Sequence, residues 1–127
     1  MRKEVERLVL QARRDLQNAR KNIGIEAYEV TAFLCHQAVE KYLKGAWIQK
    51  RRARAPATHY LRELGKGLKI PRRLLAHLLY LYPDYTVSRY PDAGNGVPYE
   101  LYDKATARAK LKAAEEVARW VESLIRS

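Results

Sequence analysis

The stretch IEAYEVTAFLCHQAVEKYLKGAWIQK, Ile25 to Lys50, holds the chain's only Phe, its only Cys and one of its two Trp, and contains no proline. Ala27, Leu34, Ala38, Tyr42 and Gly45 or Ala46 recur every three or four residues, which is helical spacing. Val30, Phe33, Val39, Leu43, Trp47 and Ile48 widen the stripe until it covers most of the circumference. A helix of that kind is central, with neighbours on several sides. His36, Gln37, Glu40, Lys41 and Lys44 interrupt it in its middle. Two readings of these polar residues stand side by side. They point to water between apolar faces, or they line a groove or a subunit interface.

Working outward, Lys3 to Ile23 reads as a first helix. Its stripe is Val5, Leu8, Val9, Ala12, Leu16, Ala19 and Ile23, with Arg13, Arg14, Gln17 and Arg20 largely opposite. Gly24 fits a left-handed cap that ends it, so the first two helices form an antiparallel hairpin. Arg51 to Ala57 is a basic connector ended by Pro56. Thr58 fits the N-cap of a short third helix with Leu61 and Leu64 on one side, broken by Gly65 and Gly67. Pro71 fits the first position of a fourth helix driven by Leu74, Leu75, Leu78 and Leu79, which Pro83 ends. Tyr82 to Tyr102 then reads as a long loop rich in Tyr and Pro, functional rather than merely connecting. Its aromatics argue against disorder. Asp103 caps a last helix, Lys104 to Arg126, striped by Ala107, Leu111, Ala114, Ala118, Val121 and Ile125. No strand alternation and no repeat appear. The expected fold is all-α: an up-and-down bundle of about five helices, two long and antiparallel, two short, and a long closing helix.

A chain of 127 residues with one style of composition fits a single domain, 1–127, with a real core. No run of eighteen apolar residues occurs, so no membrane span is expected. The charged N-terminus is not a signal peptide. Cys35 has no partner for an internal disulfide and reads as a small buried hydrophobe in a reduced, cytoplasmic protein.

The net charge is +11 and is unevenly placed. From Lys41 to Tyr80 there are eleven Lys or Arg against one acid, Glu63. A local excess of that size marks a surface for phosphate or an acidic partner, where an even one would only solubilise.

Catalytic and metal motifs are sparse. His36, His59 and His77 lack ligand spacing. The serines lack an elbow, Cys35 lies mid-helix with His36 on a different face, and no glycine-rich phosphate loop is present. No cofactor or metal is expected. His59, at a helix start beside Thr58, could bind a phosphate or another helix, though nothing in the spacing demands it. Val87 to Asp92 remains. There Arg89 could hold a phosphate bidentately while Tyr85, Tyr90 and Tyr99 stack a base, or Arg89 and Asp92 could pin the loop to the bundle.

Gln37–Gly45 (QAVEKYLKG), His59-Tyr60-Leu61 after a Pro-containing connector, the Leu-rich fourth helix and Ser88–Asp92 (SRYPD) before an alanine-striped helix together resemble the HEPN domains, named for nucleotide binding in higher eukaryotes and prokaryotes. The resemblance runs from about Glu6 to Trp120. It implies a helical bundle and a homodimer whose two loops face one cleft. It also implies a minimal nucleotidyltransferase as partner, often as a toxin–antitoxin pair. The family's ribonucleases carry an Arg followed four to six residues later by His, and they cut RNA without a metal. Arg89 matches that Arg. No His follows it, and Gly94, Asn95 and Gly96 stand where it would fall. Proton transfer of that kind contributes a factor of roughly 100 to 10,000.

The expectation is therefore a non-catalytic protein that binds a nucleotide or RNA phosphate through Lys41, Lys44, Arg89 and Tyr90, near Asp92. Glu40 would hold Lys41 or Arg89 across the cleft. The alternatives are a metal-independent ribonuclease toxin using Arg89, and a pure interaction module for an acidic nucleotidyltransferase. Phe33, Trp47 and the loop tyrosines exceed what a small bundle covers, which also points to a homodimer.

Overall fold

The computed structural model describes residues 1–127. Three long helices make the frame: α1 (Lys3–Gly24), α2 (Tyr28–Arg51) and, at the C-terminus, α7 (Lys104–Arg126). Between α2 and α7 come α3 (Leu61–Gly67), α4 (Arg72–Leu81), a 3₁₀ turn (Tyr82–Tyr85) and two single-turn helices, α5 (Pro91–Gly94) and α6 (Pro98–Leu101). There are no strands. Side-chain pairs give the directions. Thr31 bonds to Ala19 and Lys41 to Asp15, so α1 and α2 are antiparallel. Arg13 and Arg20 reach Glu122 and Glu115, so α7 is antiparallel to α1. His77 meets Glu116 while Lys110 meets Tyr80, so α4 is antiparallel to α7. With α3 set aside, the result is an up-down-up-down bundle.

α2 is the central element. It packs on α1, α7, α3, α4, α6 and the 3₁₀ turn. Cys35, Ala38, Val39, Leu43 and Ala46 are fully buried on it, as its broad apolar surface requires. The α7 stripe is buried as patterned, and Asp103 Oδ1 caps that helix by accepting from the Thr106 amide at 2.7 Å.

The helix ends differ from their sequence reading. Gly24 is not left-handed. The Ala27 amide donates to the Asn22 carbonyl and the Glu26 amide to Ile23, which is a Schellman closure with Glu26 at the left-handed position, φ 63°. Lys69, φ 58°, closes α3 in the same way. Gly65 and Gly67 do not break α3. They lie inside it, where a Cβ on Gly67 would collide with the Trp47 ring and one on Gly65 with Leu78. Glycine is used there for close packing rather than for its backbone freedom. Thr58 is not an N-cap: its hydroxyl accepts from the Tyr60 amide, and α3 begins at Leu61. Pro71 precedes α4 rather than opening it. The segment 82–102 is not one loop but three short helical turns. Phe33 and Trp47 are not surplus either, because Trp47 roofs Gly67 and Phe33 lies under Arg89.

Candidate functional site

The segment after α4 is fixed from below by a buried polar group. Asp84 is nearly inaccessible. Its Oδ1 accepts from the Tyr102 hydroxyl at 2.5 Å, and Lys110 Nζ lies 2.8 Å from Oδ2 as an electrostatic rather than a directed contact. The same ammonium donates to the Tyr80 carbonyl at 2.6 Å and sits 3.6 Å from the Tyr80 ring centre. Ser88 Oγ donates to the Asp84 carbonyl at 2.5 Å. Burial, and then the Asp84 carboxylate, push the Tyr102 phenol well above its ordinary range. One side chain therefore ties both ends of the segment to α7, and Arg89 stands on the part that it holds.

Arg89 is exposed, but its orientation is set. Nε donates to the Tyr85 carbonyl at 2.8 Å. The guanidinium carbon lies 4.7 Å from the Phe33 ring centre, 4.6 Å from Tyr85 and 5.1 Å from Tyr90. Arginine stacks on aromatic faces through its charge and its plane, and stacking leaves its edge donors free. No carboxylate lies within ion-pair distance of Arg89.

Tyr85 joins Arg89 to a second cluster. Its ring stacks on His59 at 4.1 Å, and its hydroxyl is 2.9 Å from His59 Nε2. His59 Nδ1 is 2.8 Å from Glu40 Oε1, and the other Glu40 oxygen takes Lys44 at 3.2 Å. Below them His36 is fully buried, with Nε2 3.2 Å from the His59 carbonyl and Nδ1 without a partner. Burial lowers the His36 pKa, and Glu40 opposes that only in part. A neutral ring protonated on Nε2 donates to the His59 carbonyl and fixes that backbone. Beside His59, Tyr85, Thr86 and Tyr82 opens a cavity of about 500 Å³, within the range of small-ligand sites.

Of the polar residues of α2, His36, Glu40, Lys41 and Lys44 thus find partners within the protein. Glu40 belongs to the site but holds Lys44 and His59, not Lys41 or Arg89. Lys41 is turned to α1, where Asp15, itself buried, takes its ammonium at 2.8 Å and accepts Gln11 on the other oxygen. Arg89 and Tyr90 come together. Asp92 is exposed in the first turn of α5 and makes no ion pair, so it does not pin the segment. His59 and Tyr85 were candidates in the sequence, but Phe33 was read only as surplus apolar surface, and the meeting of the three was not foreseen. They come from three separated elements, and no linear motif joins them.

Electrostatics favour anions around this site. Of the eleven cations between Lys41 and Tyr80, Lys41 and Lys44 meet a side-chain carboxylate and Lys50 donates to the Ser127 main-chain oxygen at 2.8 Å, which leaves eight that meet neither a carboxylate nor Ser127. Elsewhere the charges nearly balance, with fourteen basic against thirteen acidic residues. Arg13 grips Glu122 through two bonds, at 2.9 and 2.5 Å. Tyr42 adds a third at 2.7 Å. Arg13 above all lowers the Glu122 pKa. No group of three or more His, Cys, Asp or Glu is placed to hold a metal, and no helix is long and apolar enough to cross a membrane.

A family model described as HEPN domain matches residues 5–124. The crystal structure of TT1696 from Thermus thermophilus superposes with a TM-score of 0.88 at 26% identity, covering 97% of this chain and 99% of that one. ST0689, an archaeal HEPN homologue, gives 0.84 at 33% identity over 98% and 99%. A HEPN domain protein from Thermotoga maritima, TM0613, gives 0.74 at 27% over 94% and 98%. No curated protein matches the chain.

Proposed function

The chain belongs to the HEPN domain family, and from that premise we propose that it binds a nucleotide or RNA phosphate, without cleaving it, in a cleft between α2 and the Arg89 segment. The observation that carries this reading is the state of Arg89: exposed, aimed by the Tyr85 carbonyl, stacked among Phe33, Tyr85 and Tyr90, and free of any carboxylate. An arginine oriented in advance keeps its fork for a phosphate and loses little freedom on binding. Glu40 holds both His59, which lines the cavity, and Lys44, which brings a positive charge to the same carboxylate. Lys41, engaged on the α1 side, is left out of the contact set. Asp92, exposed and unpaired, borders the phosphate without touching it.

A second copy completes the cleft. Tyr90, Val97, Tyr99 and Leu101 are 53%, 44%, 66% and 41% exposed on and around α5 and α6, an apolar strip suited to a two-fold contact that sets two Arg89 segments face to face. The connector cations Arg51, Arg52 and Arg54 suit an acidic partner, for which we assign a minimal nucleotidyltransferase. The domain spans 1–127, and a reducing cytoplasm suits the buried Cys35. Calorimetry with a mononucleotide tests the site. Arg89→Ala should cost about 1.5–3 kcal/mol, roughly ten-fold or more in Kd, and Arg89→Lys should restore only part. Unchanged affinity in Arg89→Ala would return Arg89 to a structural role.

One observation favours a second reading, a metal-independent ribonuclease. His59, paired with Glu40, reaches the same Tyr85 ring as Arg89, so a proton-handling group is near although the linear motif lacks one. In that reading the RNA 2′-hydroxyl loses its proton and attacks the phosphorus. The 5′-oxygen leaves with a proton, and a 2′,3′-cyclic phosphate forms. Products of that kind, formed in EDTA and lost in both Arg89→Ala and His59→Ala, would establish it. Intact RNA after hours keeps the binding reading.

A further inference from the structure

Beside the His59 cavity, a second one of about 460 Å³ lies between α3 and the end of α4. The two share Tyr60 and Tyr82 as common walls, so they form one groove with an aromatic divide. These tyrosines are 57% and 41% exposed, and their rings stand 5.4 Å apart, tilted by 41°. Leu79, half exposed although it sits in the Leu-rich face of α4, forms the floor of the second compartment. Arg62 and Lys66 form its rim, against the single acid Glu63. Neither cation meets a carboxylate, and the rim lies within the most basic part of the chain.

We propose that this groove takes a single-stranded oligonucleotide, with one nucleotide in the His59 compartment and its neighbour in the second. Tyr60 and Tyr82, already in contact with each other, offer their outer faces to the bases on either side of the divide, and Arg62 and Lys66 meet the next phosphate. The proposal rests on the phosphate-binding reading of the first compartment and extends it from a nucleotide to a strand. Three features select that ligand. Two adjoining compartments, each large enough for a small ligand, fit a linear chain of units better than one compact molecule. Exposed aromatic faces need unpaired bases, which a duplex does not offer. Cations on the rim, with apolar rings inside, reproduce the outer phosphates and inner bases of a strand. Stacking of this kind tolerates any base, so little sequence preference is expected.

The test compares a mononucleotide, AMP, with a short fluorescent oligoadenylate, as RNA and as DNA, on the full chain. Wild type should bind the oligonucleotide more tightly than AMP. Tyr60→Ala and Tyr82→Ala should each lose about ten-fold or more for the oligonucleotide and a smaller factor for AMP, whose compartment they also wall, with Tyr60→Phe retaining the affinity. Arg62→Gln with Lys66→Gln should lower the slope of log affinity against log salt for the oligonucleotide by about 1 to 2. A preference for the RNA arm would assign the strand as RNA, and equal binding as any single strand. Both side chains are largely at the surface, so circular dichroism of the variants should match wild type. Full oligonucleotide affinity in both alanine variants overturns the proposal. So does conversion of a dimer to a monomer by Tyr60→Ala at unchanged oligonucleotide affinity, because the groove is then a self-association surface. Loss of AMP binding on Arg89→Ala, together with tyrosine variants that change nothing, would keep the phosphate site and remove only the groove.

Discussion

Replacing Lys110 by Met tests what holds the Arg89 segment in place. The Lys110 and Asp84 side chains are 8% and 3% exposed and 2.8 Å apart. Met fills a similar volume but removes the ammonium, which leaves the Asp84 carboxylate buried with the Tyr102 hydroxyl as its one remaining donor, and the Tyr80 carbonyl without its partner. Breaking one side of a buried pair costs about 3–5 kcal/mol, mostly from the stranded charge. Against a total stability of about 5–15 kcal/mol for a domain of this kind, that is a large share. It corresponds to a fall in Tm on the order of 10–20 °C. Urea unfolding followed by far-UV circular dichroism reads the cost. Hydrogen exchange should rise first over residues 82–102, which Asp84 ties to α7. Asp84→Asn removes the charge while keeping an acceptor for Tyr102. The double variant should therefore be more stable than the sum of the single losses by about 1–3 kcal/mol. A loss under about 1 kcal/mol in Lys110→Met, with additive singles, would refute the reasoning, because the carboxylate would then be hydrated and the segment held by packing alone.

Replacing Arg51, Arg52 and Arg54 by Gln should barely move AMP affinity but flatten the salt dependence for long RNA, since these connector cations act as a diffuse field; loss of AMP binding in a titration would relocate the site. Buried His36 has its pKa lowered from 6.5, so the unfolded chain takes up a proton first. Its cost in stability is absent above that pH and grows as the pH falls below it, and urea midpoints across pH should show the step in wild type but not in His36→Phe. Glu122, whose pKa is lowered from 4.5 by Arg13, contributes stability present above that value and lost as the pH drops further, an acid limb that Glu122→Gln should remove. Glu26→Gly should raise stability by about 0.5–1 kcal/mol, because glycine adopts the left-handed Schellman position at no steric cost; a lower Tm would contradict the closure described for α1.

The architecture was legible in the sequence because it depends on patterns only three or four residues long. The α7 stripe, the surrounded character of α2 and the Asp103 cap are all local signals, and each keeps its meaning whatever the chain does elsewhere. The basic block was equally visible, as charge can be counted. Helix ends were less legible. Gly24, Gly65 and Gly67 looked like stops, yet the left-handed positions went to Glu26 and Lys69. The glycines of α3 answer to Trp47 and Leu78, neighbours that only folding supplies.

The site shows the same division. Arg89 and Glu40 could be singled out as charged residues in telling places. Their partners could not. Glu40 holds His59 and Lys44 instead of Lys41, because one residue along a helix is a turn of about 100°, enough to send Lys41 to Asp15 on α1 and leave Glu40 facing the connector. Arg89 is aimed by Phe33 from α2 and by Tyr85 from the 3₁₀ turn, brought beside each other by the buried contact of Asp84 with Tyr102 and Lys110. By itself the sequence determined the helices, the order in which they pack and the sign of the surface. Which side chains meet around Arg89 was decided by the tertiary structure, because contacts across a bundle depend on the rotation and separation of whole helices, and no spacing along one segment encodes them.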